Sequence, residues 1–85
     1  MTVANITVYG RIGEPPCPAC DYTRIFLAKA GVPFTFVDID VNTEGRKLVA
    51  ENGILELPMV VTDTETWNGY RREKLKDLVA SHGRR

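Results

Sequence analysis

Apolar and polar residues alternate along this chain in seven short blocks, separated by glycine, proline and small polar residues. Val3 to Tyr9 reads as a strand, because Val3, Ile6, Val8 and Tyr9 supply β-branched and aromatic side chains. Gly10 to Pro16 reads as a loop, with two glycines and two prolines in seven residues. From about Cys17 to Ala30, Tyr22, Ile25, Phe26 and Lys29 or Ala30 recur at helical spacing. Gly31 stands where a helix C′ residue belongs, and Pro33 bars continuation. Phe34 to Ile39 is a nearly continuous apolar run, the pattern of a strand buried on both faces. Asp40, Asn42 and Thr43 are N-cap candidates for a helix over Thr43 to Asn52. Its only large apolar residues are Leu48 and Val49, so it covers a sheet thinly. Gly53 ends it. Met59 to Thr62 is a third strand, Asp63-Thr64-Glu65 a turn, and Thr66-Trp67 a short fourth strand. Gly69 breaks that strand and reads as a position needing positive φ or close backbone approach. Tyr70 and Arg71 lead into a last helix, Arg72 to Ser81, with Leu75, Leu78 and Val79 at i, i+3 and i+4.

The order is therefore βαβαββα. The first half is a βαβ unit, whose strands pair in parallel through a right-handed crossover. The second half is a hairpin followed by a helix. Together they predict an α/β chain with one mixed sheet and helices on both faces.

The bulk properties narrow the function. Eighty-five residues predict a single domain over 1–85, with 82–85 a polar tail. Eleven basic and eleven acidic side chains cancel, so no basic surplus points to nucleic acid. Arg71-Arg72 and Arg84-Arg85 are short and read as solvated surface. No apolar run is long enough to span a membrane. The N-terminus lacks the pattern of a signal peptide, which predicts a cytosolic protein; a monomer is expected.

Chemistry concentrates in Cys17-Pro18-Ala19-Cys20, the only two cysteines in the chain. A CxxC between a strand and a helix in an α/β chain reads as a thioredoxin-like redox motif. At a helix start, i and i+3 share one face, so the sulfurs can meet with little backbone movement. Cys17 would sit where helix amides lack partners and the dipole favours negative charge, which lowers a thiol pKa. Cys17 is thus the candidate nucleophile and Cys20 the candidate resolving thiol. Pro18 suits the first helical turn. Two other readings stand beside this one. A structural disulfide across so small a loop would constrain the unfolded chain little. A closed zinc site needs about four ligands, whereas His82 is the only histidine and lies far along the chain. Pro58, in Leu57-Pro58-Met59, is permitted at a strand's first residue. Trp67, the only tryptophan, reads equally well as core or as part of a site.

Several stretches together resemble the glutaredoxin-like NrdH-redoxins of the thioredoxin superfamily. They are the strand ending in Tyr9, CPAC, the second strand, Leu57-Pro58-Met59-Val60-Val61 and Trp67-Asn68-Gly69-Tyr70-Arg71. The resemblance spans about Ile6 to Val79. It implies a four-stranded mixed sheet with three helices and a cis Leu57-Pro58 bond. Leu57 and Pro58 would then shape a docking groove with Trp67, Asn68, Gly69, Tyr70 and Arg71, in which Leu57 offers its backbone to an extended partner. It also implies electron donation to a class Ib ribonucleotide reductase, recharging by thioredoxin reductase, and no bound cofactor beyond a redox-active Cys17–Cys20 disulfide. Ordinary glutaredoxins hold glutathione partly with a threonine before the cis-proline and a Gly-Gly-x-x-Asp stretch. Here those positions read Leu57 and Gly69-Tyr70-Arg71-Arg72-Glu73. The loop Gly10 to Pro16 is longer than in either group, and its Arg11 could supply a carboxylate contact. The alternatives are a glutathione-dependent glutaredoxin and a module that bridges two chains through Cys17 with a metal or iron–sulfur cluster.

Overall fold

The computed structural model describes residues 6–53 and 56–83. Its elements run β1 Thr7–Gly10, α1 Pro18–Lys29, β2 Thr35–Asp38, α2 Thr43–Glu51, β3 Met59–Val61, β4 Thr66–Asn68 and α3 Arg72–Gly83. This is the expected βαβαββα order. The four strands form one mixed sheet in the order β2-β1-β3-β4. β1 pairs with β2 in parallel and with β3 antiparallel, and β3 pairs with β4 antiparallel.

Register explains the two-sided core. Phe36, Val8, Val60 and Trp67 are successive cross-strand partners and form one row across the sheet. That row packs against Leu27 of α1 and Leu75 of α3, with Ile6 and Val32 completing the cluster. Val37, Tyr9, Met59 and Asn68 form the adjacent row, which the period of two turns to the opposite face. There Met59 packs with Ile39 and with Val49 of α2, and Tyr9, Leu48 and Leu57 flank them. α2 covers this face thinly, as expected, and it compensates by lying close. A Cβ on its buried Gly45 would come within 2.8 Å of Val37 Cγ1 and 3.4 Å of the Tyr9 ring.

The helix ends follow their sequence signals. Asn42 caps α2, its side chain accepting the Gly45 N–H at 2.7 Å. α1 ends with Gly31 at φ +73°. The Val32 N–H then returns to the Leu27 carbonyl at 3.0 Å, a hydrogen bond that satisfies an otherwise orphaned carbonyl.

Some expectations are corrected. Phe34 to Ile39 is not a strand buried on both faces. β2 lies at the sheet edge, with Thr35 exposed and Phe36, Val37 and Asp38 half-buried. Its apolar run instead serves the two faces alternately, Phe36 towards α1 and Val37 towards α2. Gly10 belongs to β1 and not to the loop after it. β3 stops at Val61, one residue early, and β4 runs on to Asn68. α1 starts at Pro18 and α3 at Arg72, so Cys17, Tyr70 and Arg71 precede helices. α3 continues through Gly83, taking in the first two positions of the expected tail. The expected strand residues Val3 to Asn5, and Arg84-Arg85, lie outside the described residues. Among the described residues, no helix is long and apolar enough to cross a membrane.

Candidate active site

The carboxyl end of β1 delivers the chain to the loop that precedes α1, and the two cysteines sit at that junction. Cys17 is the N-cap of α1, one position earlier than a helix-starting residue. Its sulfur accepts the Cys20 N–H at 3.2 Å, and its carbonyl accepts the Asp21 N–H at 3.1 Å. An N–H that would otherwise lack a partner thus points at this sulfur, an arrangement that favours negative charge there. Pro18 at the first helical position has no N–H to leave unsatisfied. Cys17 and Cys20 are joined in a disulfide, with Cα atoms 5.3 Å apart. Their accessibility differs. Cys20 is fully buried, whereas Cys17 is half-buried at the rim, so only the Cys17 sulfur can be reached from outside.

Gly10, at the end of β1, makes room for the inner sulfur. A Cβ there would stand 2.7 Å from Cys20 Sγ and 3.2 Å from the Phe36 ring. The sequence reading placed Gly10 in a loop and missed this role. A glycine closing a β-branched strand just before a CxxC is the signal that could have found it.

The Leu57-Pro58 bond is cis, as the resemblance implied. The Leu57 carbonyl oxygen lies 3.9 Å from Cys17 Sγ. Pro58 itself is fully buried and presents no surface, and its carbonyl accepts the Gly69 N–H at 2.8 Å. This bond ties the stretch before β3 to the turn after β4. Gly69 has φ +80°, the first of the two alternatives expected of it, and a Cβ there would also stand 2.9 Å from Glu56 Oε1.

A groove of about 510 Å³ opens beside Cys17, lined by Arg11, Pro16 to Ala19, Glu56, Leu57 and Asn68 to Arg71. It brings together Arg11, Cys17, Leu57, Asn68, Gly69, Tyr70 and Arg71, which are far apart in the chain. Trp67 is a correction. It is 5% exposed and packs in the core under α3, with Lys74 Nζ 5.6 Å from its ring centroid. Asn68 lines the groove, and neighbouring strand residues face opposite ways, so Trp67 must turn from it. Glu56 is a groove residue that the sequence reading missed, since no motif contains it. Its Oε1 accepts from Asn68 Nδ2 at 3.4 Å.

Arg11 is not a free cation. Its guanidinium forks onto Asp40, Nε to Oδ2 at 2.8 Å and Nη2 to Oδ1 at 3.1 Å. That hydrogen bond holds the Asp40 carboxyl below its ordinary pKa and raises that of Arg11. Arg46 in turn donates to the carbonyls of Ile39 and Asp40, both at 3.1 Å. The loop beside Cys17 is thereby tied to the β2–α2 connection. Among the described residues, no three His, Cys, Asp or Glu side chains come together as a metal site.

A mixed four-stranded sheet, a CxxC across a helix N-terminus and the Leu57 carbonyl 3.9 Å from the outer sulfur define a thiol–disulfide oxidoreductase of the thioredoxin fold. Comparison with known proteins narrows the class. The glutaredoxin family model matches residues 6–67. The chain is 35% identical to the gene 56 protein of Mycobacterium phage L5 over 78 residues, 89% of this chain and 73% of that one. It is 26% identical to the glutaredoxin-like protein NrdH of Escherichia coli K12 over 74 residues, 87% and 88% of the two chains. The structure of E. coli NrdH-redoxin superposes with a TM-score of 0.79 at 26% identity, covering 87% of this chain and 93% of that one. Glutaredoxin 1 of Archaeoglobus fulgidus gives 0.69 at 33% identity, covering 89% and 86%. The chain belongs to the glutaredoxin family, as a glutaredoxin-like NrdH-redoxin.

Proposed function

We propose that this redoxin carries electrons from a thioredoxin reductase to a class Ib ribonucleotide reductase, by dithiol exchange between proteins. Cys17 as thiolate attacks one sulfur of the partner's disulfide, and the other sulfur leaves as a thiolate that takes up a proton. The Cys20 thiolate then attacks Cys17 in the mixed disulfide. The partner leaves as a dithiol, and the redoxin keeps a Cys17–Cys20 disulfide, with two electrons transferred in all. The reductase dithiol reverses these steps on the redoxin. The cycle uses only the two sulfurs of this chain, and the flavin belongs to the reductase. We place it in the cytoplasm, where dithiols are kept reduced, and in a monomer, which leaves Cys17 open to both partners.

The observation that carries this reading is the chemistry of the groove. Glutathione is a small charged tripeptide, and holding it takes several aimed groups. Leu57 stands where a threonine would serve, and Tyr70-Arg71 replace the second glycine and its neighbours. Arg11 is already neutralised by Asp40. Each missing hydrogen bond to a charged group is worth roughly 1.5–3 kcal/mol. Losing two weakens glutathione binding by about a hundredfold or more. A protein reductase needs none of these handles, since it can pair with the Leu57 backbone, as in strand addition. The likeness to E. coli NrdH-redoxin, a protein with a thioredoxin-like activity profile, supports the same electron source.

NADPH consumption at matched redoxin concentration tests it. Fast reduction of the Cys17–Cys20 disulfide is expected with thioredoxin reductase, and slow reduction with millimolar glutathione and glutathione reductase. Equal or faster turnover through glutathione would replace this reading with an ordinary glutaredoxin.

A further inference from the structure

Three exposed apolar side chains adjoin one another beside the groove. Tyr22 is 58% exposed, Ile25 49% and Tyr70 38%. The rings of Tyr22 and Tyr70 meet at 5.7 Å between centroids and 60° between planes. Tyr22 and Ile25 are three positions apart on α1 and so are neighbours on its surface. Exposed Pro18, four positions before Tyr22, begins the same stripe directly beside Cys17. The opposite stripe of α1, Cys20, Thr23 and Leu27, is the one buried on the sheet. Tyr70 also lines the groove. An exposed apolar side chain standing alone is ordinary. Here the strip is continuous, and it starts at the sulfur that a disulfide partner must reach.

Its length selects the occupant. Ile25 lies eight residues beyond Cys17, about 12 Å along the helix axis at roughly 1.5 Å per residue. An extended chain covers that in three to four residues, at about 3.3–3.6 Å each. A disulfide of a few atoms cannot span it. We infer that Tyr22, Ile25 and Tyr70 form a docking shelf for a polypeptide disulfide with an apolar or aromatic side chain three to four residues from the reacting cysteine. This rests on the reading that the physiological partners are proteins, and it names the part of the partner that the groove leaves unread.

The test uses pre-reduced redoxin freed of reductant, so no electron source takes part. The probes are short peptides with one cysteine in disulfide linkage to thionitrobenzoate. Each carries tryptophan or serine at the third or fourth position on either side. Cys17 thiolate attacks the peptide sulfur, and thionitrobenzoate leaves as a coloured thiolate. Cys20 thiolate then attacks Cys17, releasing the peptide thiol and leaving the Cys17–Cys20 disulfide. At least one tryptophan peptide should react about fivefold to tenfold faster than its serine twin, the size of a buried aromatic anchor. Tyr22→Ser with Ile25→Ser should erase that gain and leave the serine-peptide rate unchanged. Equal rates for all twins with the unsubstituted redoxin would overturn the shelf, and so would a gain that survives in the variant. A concentration-dependent dimer abolished by the same substitutions would assign the strip to a second copy of the chain, and would also overturn it. None of these results depends on the NADPH assay, so the two readings can fail separately.

Discussion

Replacing Gly10 by alanine isolates one contact in the site. Gly10 does not have a positive φ, so alanine's backbone preferences are met and only space is at issue. The new methyl would stand 2.7 Å from Cys20 Sγ and 3.2 Å from Phe36 Cε1. Ordinary contact between heavy atoms of this size is about 3.5–4.0 Å, so the sulfur or the strand must yield by about 1 Å. Overpacking of this kind costs about 1–3 kcal/mol. Alanine returns about 0.4–1 kcal/mol by restricting the unfolded chain. A net loss of about 1–2 kcal/mol follows, or about 4–16 °C in Tm for a domain of this size. The functional loss should be larger in proportion, because moving a reacting group by about 1 Å can cost about a hundredfold. Two measurements check this. One is thermal unfolding of the oxidised form. The other is the rate at which Cys20 resolves a Cys17 mixed disulfide, followed in a single turnover with a peptide–thionitrobenzoate disulfide. Resolution should slow far more than the first attack, since the atoms nearest the new methyl belong to Cys20 and Phe36. Unchanged Tm and unchanged resolution would refute the reasoning.

Other outcomes follow from the same geometry. Cys20→Ser should attack a disulfide and accumulate as a mixed disulfide visible by mass spectrometry, whereas Cys17→Ser should not react; trapping by Cys17→Ser alone would reverse the roles. Gly45→Ala should lower stability by about 1 kcal/mol, since a methyl 2.8 Å from Val37 Cγ1 lifts α2 from the sheet and outweighs the gain in helix propensity; chemical denaturation gives the value, and a more stable variant would contradict the close packing. The Asp40 carboxyl, lowered by the Arg11 hydrogen bond, should titrate by NMR below the ordinary aspartate value of about 3.9. Its folded pKa is depressed, so the Arg11–Asp40 tie stabilises above that ordinary value and is lost as pH falls through the folded one. Arg11→Ala should move the Asp40 titration back up, with Arg46 still holding it partly down; no movement would show that Arg11 is not the cause.

The chain's local pattern by itself determined the order of elements and the two sulfurs. Strand and helix periods, Gly31, Asn42 and Pro18 act within a few residues, so they can be read without knowing the fold. CPAC carries its own spacing, and Gly69 its own backbone demand. The family likeness added the cis bond before β3. Tertiary structure decided what depends on which strand lies next to which. The apolar run at Phe34 to Ile39 could serve a central or an edge strand, and only the order β2-β1-β3-β4 put it at the edge. Trp67 could face either way until its register opposite Val60 committed it to the core. Arg11 looked free because Asp40, its partner, is 29 positions away. Gly10 and Glu56 belong to no motif, and their roles exist only because Cys20 and Gly69 are packed against them. Contacts between distant residues depend on strand register and helix placement, which the local hydrophobic pattern constrains but does not specify.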